Sequence, residues 1–323
     1  MSKHTENPME IELSNSQQNR LENQLHNAFS KSDIVQIGSS RFGAKQERYN
    51  DLANEGKKAD SHTLNRGIGI TSYATLHKFQ GNIEKFGSWC FDNGINNINQ
   101  IKPDHVAGFI SELCEREYAK STVQGYCASI EKFAEVMDRV APCMTPRSET
   151  WHEAIQSCKA EIADCPVNNE PRAYADPNAM IDALDSPQLQ LVATMQLEYG
   201  LRIADATKID AGKIEGNILT VENSKNGQDL KVELRPETIE KINELADPDG
   251  KISIKQSVYR SELKEACEST GQKWNGTHGL RHNYAQDRMD TLTSEGKTWT
   301  EALYIVSEEM GHHRVDITLT YLR

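Results

Sequence analysis

Residues 217–235 read NILTVENSKNGQDLKVELR, two β-rich runs on either side of an Asn226-Gly227 pair. Asn-Gly supplies the positive-φ residues of a tight reverse turn, so the stretch predicts an antiparallel hairpin. Helical patterns surround it. SPQLQLVATMQLEYGLR opens with Ser186 as N-cap and Pro187 in the first turn, then runs apolar into Gly200. KQSVYRSELKEACEST, GLRHNYAQDRMDTL and TWTEALYIVSEEMG also read as helices. The C-terminal part is therefore expected to be mainly α with a small antiparallel β-sheet, an α+β domain spanning residues 177–323.

A different pattern precedes it. TSYATLHKFQGNIEKFGSWCFDNG sets Tyr73, Leu76, Phe79, Ile83, Phe86 and Trp89 at helical spacing and stops at Asn93-Gly94. KPDHVAGFISELCERE begins a second helix with proline in its first turn. KSTVQGYCASIEKFAEVMDR supplies a third, with Val123, Tyr126, Ile130, Phe133 and Val136 on one side. Short connections between them predict a separate all-α domain over residues 67–145, its aromatic stripe serving as core. Residues 1–66, rich in Asn, Gln, Ser and Lys, read as a polar extension, partly disordered or arm-like; Leu21, Leu25 and Phe29 recur every four residues there. Residues 146–176, ending in the stretch CPVNNEPRAYADP, read as a linker.

At 323 residues the chain exceeds what one core usually serves. Its opening residues lack a secretory signal and no apolar run is long enough to span a bilayer, which predicts a cytoplasmic protein. Seven cysteines without paired CxxC spacing fit neither a disulfide framework nor a zinc ribbon. The formal charge of −12 and pI near 5.4 argue against a nucleic-acid partner. Neither residues 1–66, residues 67–166 nor the remainder has a basic excess. If DNA is bound, basic side chains must converge on one face while acidic ones populate the other.

Several polar residues interrupt the apolar helices. Arg202 follows Tyr199-Gly200-Leu201 at a helix end; His278 and Arg281, three apart, share a helical face. His312 follows Gly311, where a helix is expected to break, and Tyr321 lies nearly at the last residue. Each has an ordinary structural explanation taken singly. Together, YGLR, a lysine in a β-hairpin, HGLRH and GHHRVDITLTY, in that order, closely resemble the tyrosine recombinase family, the phage integrases and their relatives. The resemblance covers residues 175–323 strongly and 70–140 more weakly, the latter as the family's helical, SAM-like core-binding domain.

The resemblance implies a division of labour that phosphoryl chemistry would require. Arg202 and Arg281 would clamp the non-bridging oxygens of a scissile phosphate with fixed forks of donors, and His312 would add another. Tyr321 would be the nucleophile, forming a 3′-phosphotyrosyl link without metal or other cofactor. Lys225 would protonate the departing 5′-oxygen and His278 would assist proton transfer at the tyrosine. Asp205 and His282 would support the site from behind. The implied partners are double-stranded DNA with inverted-repeat core sites and a homotetramer on synapsed DNA, with room for a directionality or host DNA-bending factor; no membrane is involved. The implied setting is the bacterial cytoplasm, at the nucleoid, and the implied role integration or excision of a mobile element. The two domains would clamp the duplex from opposite faces.

Other readings stay open on residues alone. His278, His282, His312 and His313 can be imagined as a metal site of a hydrolytic nuclease, although the glutamate of a His-Glu-x-x-His motif is missing and both arginines would lack a role. A type IB topoisomerase would use the same chemistry without exchanging strands, and a non-catalytic DNA-binding relative would keep only the fold. Asn283 stands where many relatives have Ser or Thr. DTLTSEGKTWTEAL lengthens the path between two catalytic helices, and only Leu322 and Arg323 follow Tyr321.

Overall fold

The computed structural model describes residues 8–224, 228–312 and 314–323, with the side chains of 8–19 and 61–62 left aside. The chain forms two compact units, residues 1–168 and 169–323.

The first unit is helical: α1 (Pro8–Lys31), α2 (Arg41–Asn54), α3 (Ser61–Asn65), α4 (Tyr73–Asp92), α5 (Pro103–Glu115), α6 (Lys120–Val140), α7 (Arg147–Ser157) and α8 (Lys159–Asp164). Local signals set several boundaries. Ser72 Oγ accepts the Thr75 amide at 3.2 Å to cap α4, and Gly94, at φ +81°, carries the chain out past its other end. Pro103 occupies the first turn of α5, where its missing N–H costs nothing. Ile83 and Phe86 of α4, Phe109 of α5 and Val123, Tyr126, Ile130, Phe133 and Val136 of α6 are all buried in one core. Tyr73 departs from the expected stripe and is exposed.

Two segments differ from the sequence reading. In the expected polar extension, Leu21, Leu25 and Phe29 are fully buried, and α1 packs against α4 and α6. Ile34 and Gln36 exchange main-chain hydrogen bonds with Ile70, closing this segment onto the entry to α4. One apolar residue per turn is enough to cover a core when its neighbours supply the rest of the stripe. In the expected linker, α7 buries Trp151 and Ile155 against α5 and α6, so the first unit continues through α8.

The second unit contains α9 (Pro177–Asp182), α10 (Pro187–Glu198), α11 (Ile203–Ala206), β1 (Lys208–Asp210), β2 (Ile214–Glu215), β3 (Ile218–Val221), β4 (Leu230–Glu233), α12 (Pro236–Leu245), β5 (Lys251–Ser253), α13 (Gln256–Ser269), α14 (His278–Ser294), α15 (Trp299–Glu309) and α16 (Val315–Thr318). It is mainly α with two small antiparallel sheets, β1-β5 and β2-β3-β4. The hairpin forms as β3 and β4, from Ile218 opposite Glu233 to Val221 opposite Leu230. Lys225 and the Asn226-Gly227 turn lie outside the described residues. Alternation places Leu219, Leu230 and Val232 in the core. Helix α14 packs on both α10 and α15. The stretch after Met289 extends α14 to Ser294 and then starts α15 through a reciprocal Thr298–Glu301 capping box. No described helix is long and apolar enough to cross a membrane.

Candidate active site

The ends of two helices create the site. α10 stops at Glu198 and α15 at Glu309; beyond each, a glycine at positive φ, Gly200 (+63°) and Gly311 (+61°), turns the chain. These turns aim carbonyls just beyond the helix ends, those of Gly200, Met310 and Gly311, at guanidinium groups. Arg281 Nη1 donates to the Gly200 carbonyl and Nη2 to the Met310 carbonyl at 3.4 Å. Arg202 Nη2 donates to Met310 O at 3.1 Å and Gly311 O at 2.8 Å. The two arginines thus share an acceptor, and their forks are held side by side.

Arg202 is aimed from behind. Leu201, fully buried, donates its amide to Met195 O, and Gln196 donates from Nε2 to Leu201 O at 3.3 Å. Gln196 in turn accepts from the buried Tyr259 hydroxyl at 2.8 Å. Truncating Leu201 to alanine would cost about 2–5 kcal/mol and loosen this anchor. On its other side Arg202 Nη1 donates to Ser224 Oγ at 3.3 Å, and that hydroxyl donates to Asp205 Oδ2 at 2.8 Å. Asp205 therefore supports Arg202 through Ser224. Ser224 immediately precedes Lys225, whose own placement lies outside the described residues.

Arg281 is completely buried on α14. Burial pulls its guanidinium down to about 10, opposed by the nearby Tyr321 and reinforced by Arg202, so it stays charged near neutral pH. Arg202 is lowered too, by burial, with Asp205 and Tyr321 opposing. Arg281 Nε has no hydrogen-bond partner among the described residues. Arg281 Nη2 also faces His312 Nε2 at 3.3 Å, while His312 Nδ1 lies 2.9 Å from Thr318 Oγ1. A guanidinium only donates, so Nε2 is the acceptor in that contact.

Tyr321 closes the cluster. It ends a single 3-10 turn after α16, half-buried, with its ring 5.0 Å from the His312 ring and 4.6 Å from that of His282. Its hydroxyl points to His278 Nδ1 at 3.4 Å. His282 is buried and held down to about 4 by burial and then by Arg172, so it is neutral at physiological pH. Its Nδ1 lacks a partner among the described residues.

The structure thus brings together Arg202, Asp205, His278, Arg281, His282, His312 and Tyr321, seven of the eight residues singled out from sequence. Lys225 and His313 lie outside the described residues. Arg314 faces solvent, paired with Asp316 at 2.6 Å. Among the described residues no group of three or more His, Cys, Asp or Glu is placed to hold a metal ion.

Other contributors were not apparent from sequence. Asn283 exchanges two hydrogen bonds of 2.8 Å with the main chain of Tyr174, one to its amide and one to its carbonyl, as a strand neighbour would. Tyr174 covers Gly279 so closely that a Cβ there would lie 2.3 Å from its ring. Tyr284 and Arg288 both bind Glu309, Arg288 through two donor nitrogens, and so tie α14 to the end of α15. Gln286 reaches the main chain around Tyr321. Only its spacing, four residues after His282, hinted at a shared face.

No protein-family model matches the chain, and no curated protein does. Solved structures do. A lambda integrase dimer bound to a COC′ core site aligns with TM-score 0.55 at 14% identity, covering 87% of this chain and 95% of that one. A lambda integrase tetramer bound to a Holliday junction aligns with TM-score 0.53 at 12% identity, covering 97% and 83%. The Tn1549 transposon integrase, in complex with transposon right-end DNA, aligns with TM-score 0.52 at 12% identity, covering 87% and 94%. Arginines held by two helix ends, with a histidine and a tyrosine against them, sit in a fold like that of the lambda and Tn1549 integrases.

Proposed function

We propose that this chain is a site-specific DNA recombinase that cleaves and rejoins strands through a 3′-phosphotyrosyl intermediate, serving integration or excision of a mobile element. The observation that carries the proposal is the convergence of Arg281 and His312 on the Tyr321 ring, with Arg202 held beside Arg281 on the shared Met310 carbonyl. Two fixed guanidiniums beside an aromatic hydroxyl suit a phosphodiester better than any neutral substrate. Charge that spreads over the non-bridging oxygens in the transition state would meet donors already oriented. The buried, unpaired Arg281 Nε adds a donor that an anionic oxygen would satisfy.

Tyr321 attacks phosphorus, its proton passing towards His278, whose Nδ1 lies 3.4 Å from the tyrosine hydroxyl. The P–O5′ bond breaks as the P–O(Tyr) bond forms, and Lys225 protonates the departing 5′-oxygen. The number of phosphate ester bonds is unchanged, so no nucleotide cofactor is needed. The 5′-hydroxyl of a second strand then attacks the phosphotyrosine and releases the enzyme. By analogy with the DNA-bound dimers and tetramers of like fold, the chain binds duplex DNA and works as a homotetramer.

The test is covalent capture. The unaltered protein and Tyr321→Phe are mixed with sheared DNA of the source cell in EDTA and denatured, and the ends of protein-linked fragments are sequenced. Adducts from the unaltered protein alone, clustered at one inverted repeat, are expected. Scattered adducts would assign a topoisomerase instead; their absence, or their loss to the chelator, would reject the reading.

A further inference from the structure

Helix α14 presents three side chains one turn apart to the tyrosine segment. His278 meets the Tyr321 hydroxyl at 3.4 Å, and His282 lies against the ring. Gln286 follows on the same face. Its Nε2 donates to the Tyr321 carbonyl at 3.2 Å and to the main-chain oxygen of Arg323 at 3.1 Å. An amide nitrogen carries two hydrogens, and both are used here on one short segment. On the far side, Arg323 Nη1 donates to Asn169 Oδ1 at 2.8 Å.

The segment needs such a hold. Residues 315–321 comprise only one α-helical turn and one 3-10 turn, too short to be stable by themselves. Thr318 is buried, but Leu319 and Thr320 are exposed. The aim of the Tyr321 hydroxyl therefore depends on bonds to its own main chain. Gln286 makes one of them, and a second to Arg323 two residues on, from the helix that also carries Arg281.

Resting on the recombinase reading, we infer that Gln286 is a positioning residue. Its two donated hydrogen bonds, to the main-chain oxygens of Tyr321 and Arg323, hold the tyrosine segment over the arginines. It touches neither phosphate nor the reacting atoms. Its effect is on how often the hydroxyl is in line, which belongs to the rate of the bound complex rather than to DNA affinity.

The experiment compares the unaltered protein with Gln286→Glu, equal in shape but without the donor, and Gln286→Lys, which restores donation. A duplex bearing the site recovered by covalent capture is the probe. The readouts are the Kd for that duplex, the single-turnover rate of adduct formation at saturating protein, and thermal unfolding to establish that each variant is folded. Gln286→Glu should form adduct roughly 10-fold to 100-fold more slowly with Kd unchanged, the loss expected for two hydrogen bonds. Gln286→Lys should recover most of the rate. An equal rate for Gln286→Glu, equal loss in both variants, or a loss confined to Kd would overturn the assignment. Absence of adduct from the unaltered protein would instead reject the recombinase reading beneath it.

Discussion

The guanidinium of Arg281 lies against the ring of Tyr321, 5.7 Å from its centroid. A buried cation and an aromatic hydroxyl on separate elements are thereby held against one another before any substrate arrives, and Arg281 owes its place to carbonyls at two helix ends. Lysine is a single point of charge and cannot span Gly200 O, Met310 O and His312 together. Arg281→Lys is expected to slow adduct formation about 100-fold, the size of effect seen when one oriented donor is lost from a transition state. Single-turnover assays at saturating protein would measure it; a rate within a few-fold of the unaltered protein would contradict the clamp.

Gly200 is required twice. Its φ of +63° excludes most side chains, and a Cβ would lie 2.5 Å from the Tyr284 ring. Gly200→Ala should lower stability by about 2–4 kcal/mol through backbone strain and overpacking together. It should also turn aside the carbonyl that holds Arg281. Denaturant unfolding and adduct formation should both be impaired; a change in neither would show that the turn is not constrained as described.

Asn283 tests the coupling of α14 to residues 172–176. Asn283→Ala leaves the amide and carbonyl of Tyr174 without their side-chain partner, at a cost of about 2–4 kcal/mol for two buried groups. Serine reaches less far and should recover only part of that. Urea unfolding of the two variants measures the difference, and full stability in the alanine variant would refute the pairing.

His282 gives a pH signature. It is held down to about 4 in the folded protein, against 6.5 in an unfolded chain, first by burial and then by Arg172. The unfolded chain therefore binds the proton more readily between these values. The stability that neutral His282 contributes is complete above about pH 6.5 and is lost as pH falls towards about 4. Compared with His282→Gln, the unaltered protein should lose about 1–2 kcal/mol more across that window, allowing for partial solvent screening. Parallel melting curves across the window would contradict a buried neutral imidazole.

Much of this was legible in the sequence, and what was not has physical causes. Pro187 and Gly200 bounded α10 because a first-turn proline and a left-handed glycine act locally, whereas Ser186 holds the N-cap position without a capping hydrogen bond. The two β-rich runs paired because strand alternation matched a buried face. By contrast, α1 hid behind its polar composition, since its described buried face is only Leu21, Leu25, Ala28 and Phe29 among Asn and Gln. Residues 146–164 read as linker because the prolines on either side outweighed Trp151 and Ile155, whose burial depends on distant α5 and α6. The site residues were visible through their order and spacing. Gln286 and Ser224 were not, and Asn283 stood out only as a departure from relatives, because their partners, main-chain groups for Gln286 and Asn283 and the Arg202 and Asp205 side chains for Ser224, lie far away in sequence and no pattern along the chain records such contacts.

The most direct measurement is the chemical identity of the attachment point. Adduct formed in EDTA is digested with nuclease and trypsin, and the peptides are weighed for a residual nucleotide. Cleavage after Arg314 releases Val315–Arg323, which contains Tyr321 as its sole tyrosine. The account predicts a 3′-linked nucleotide on that peptide, at Tyr321. A nucleotide on any other peptide, or a 5′-phosphate linkage at Tyr321, would contradict it.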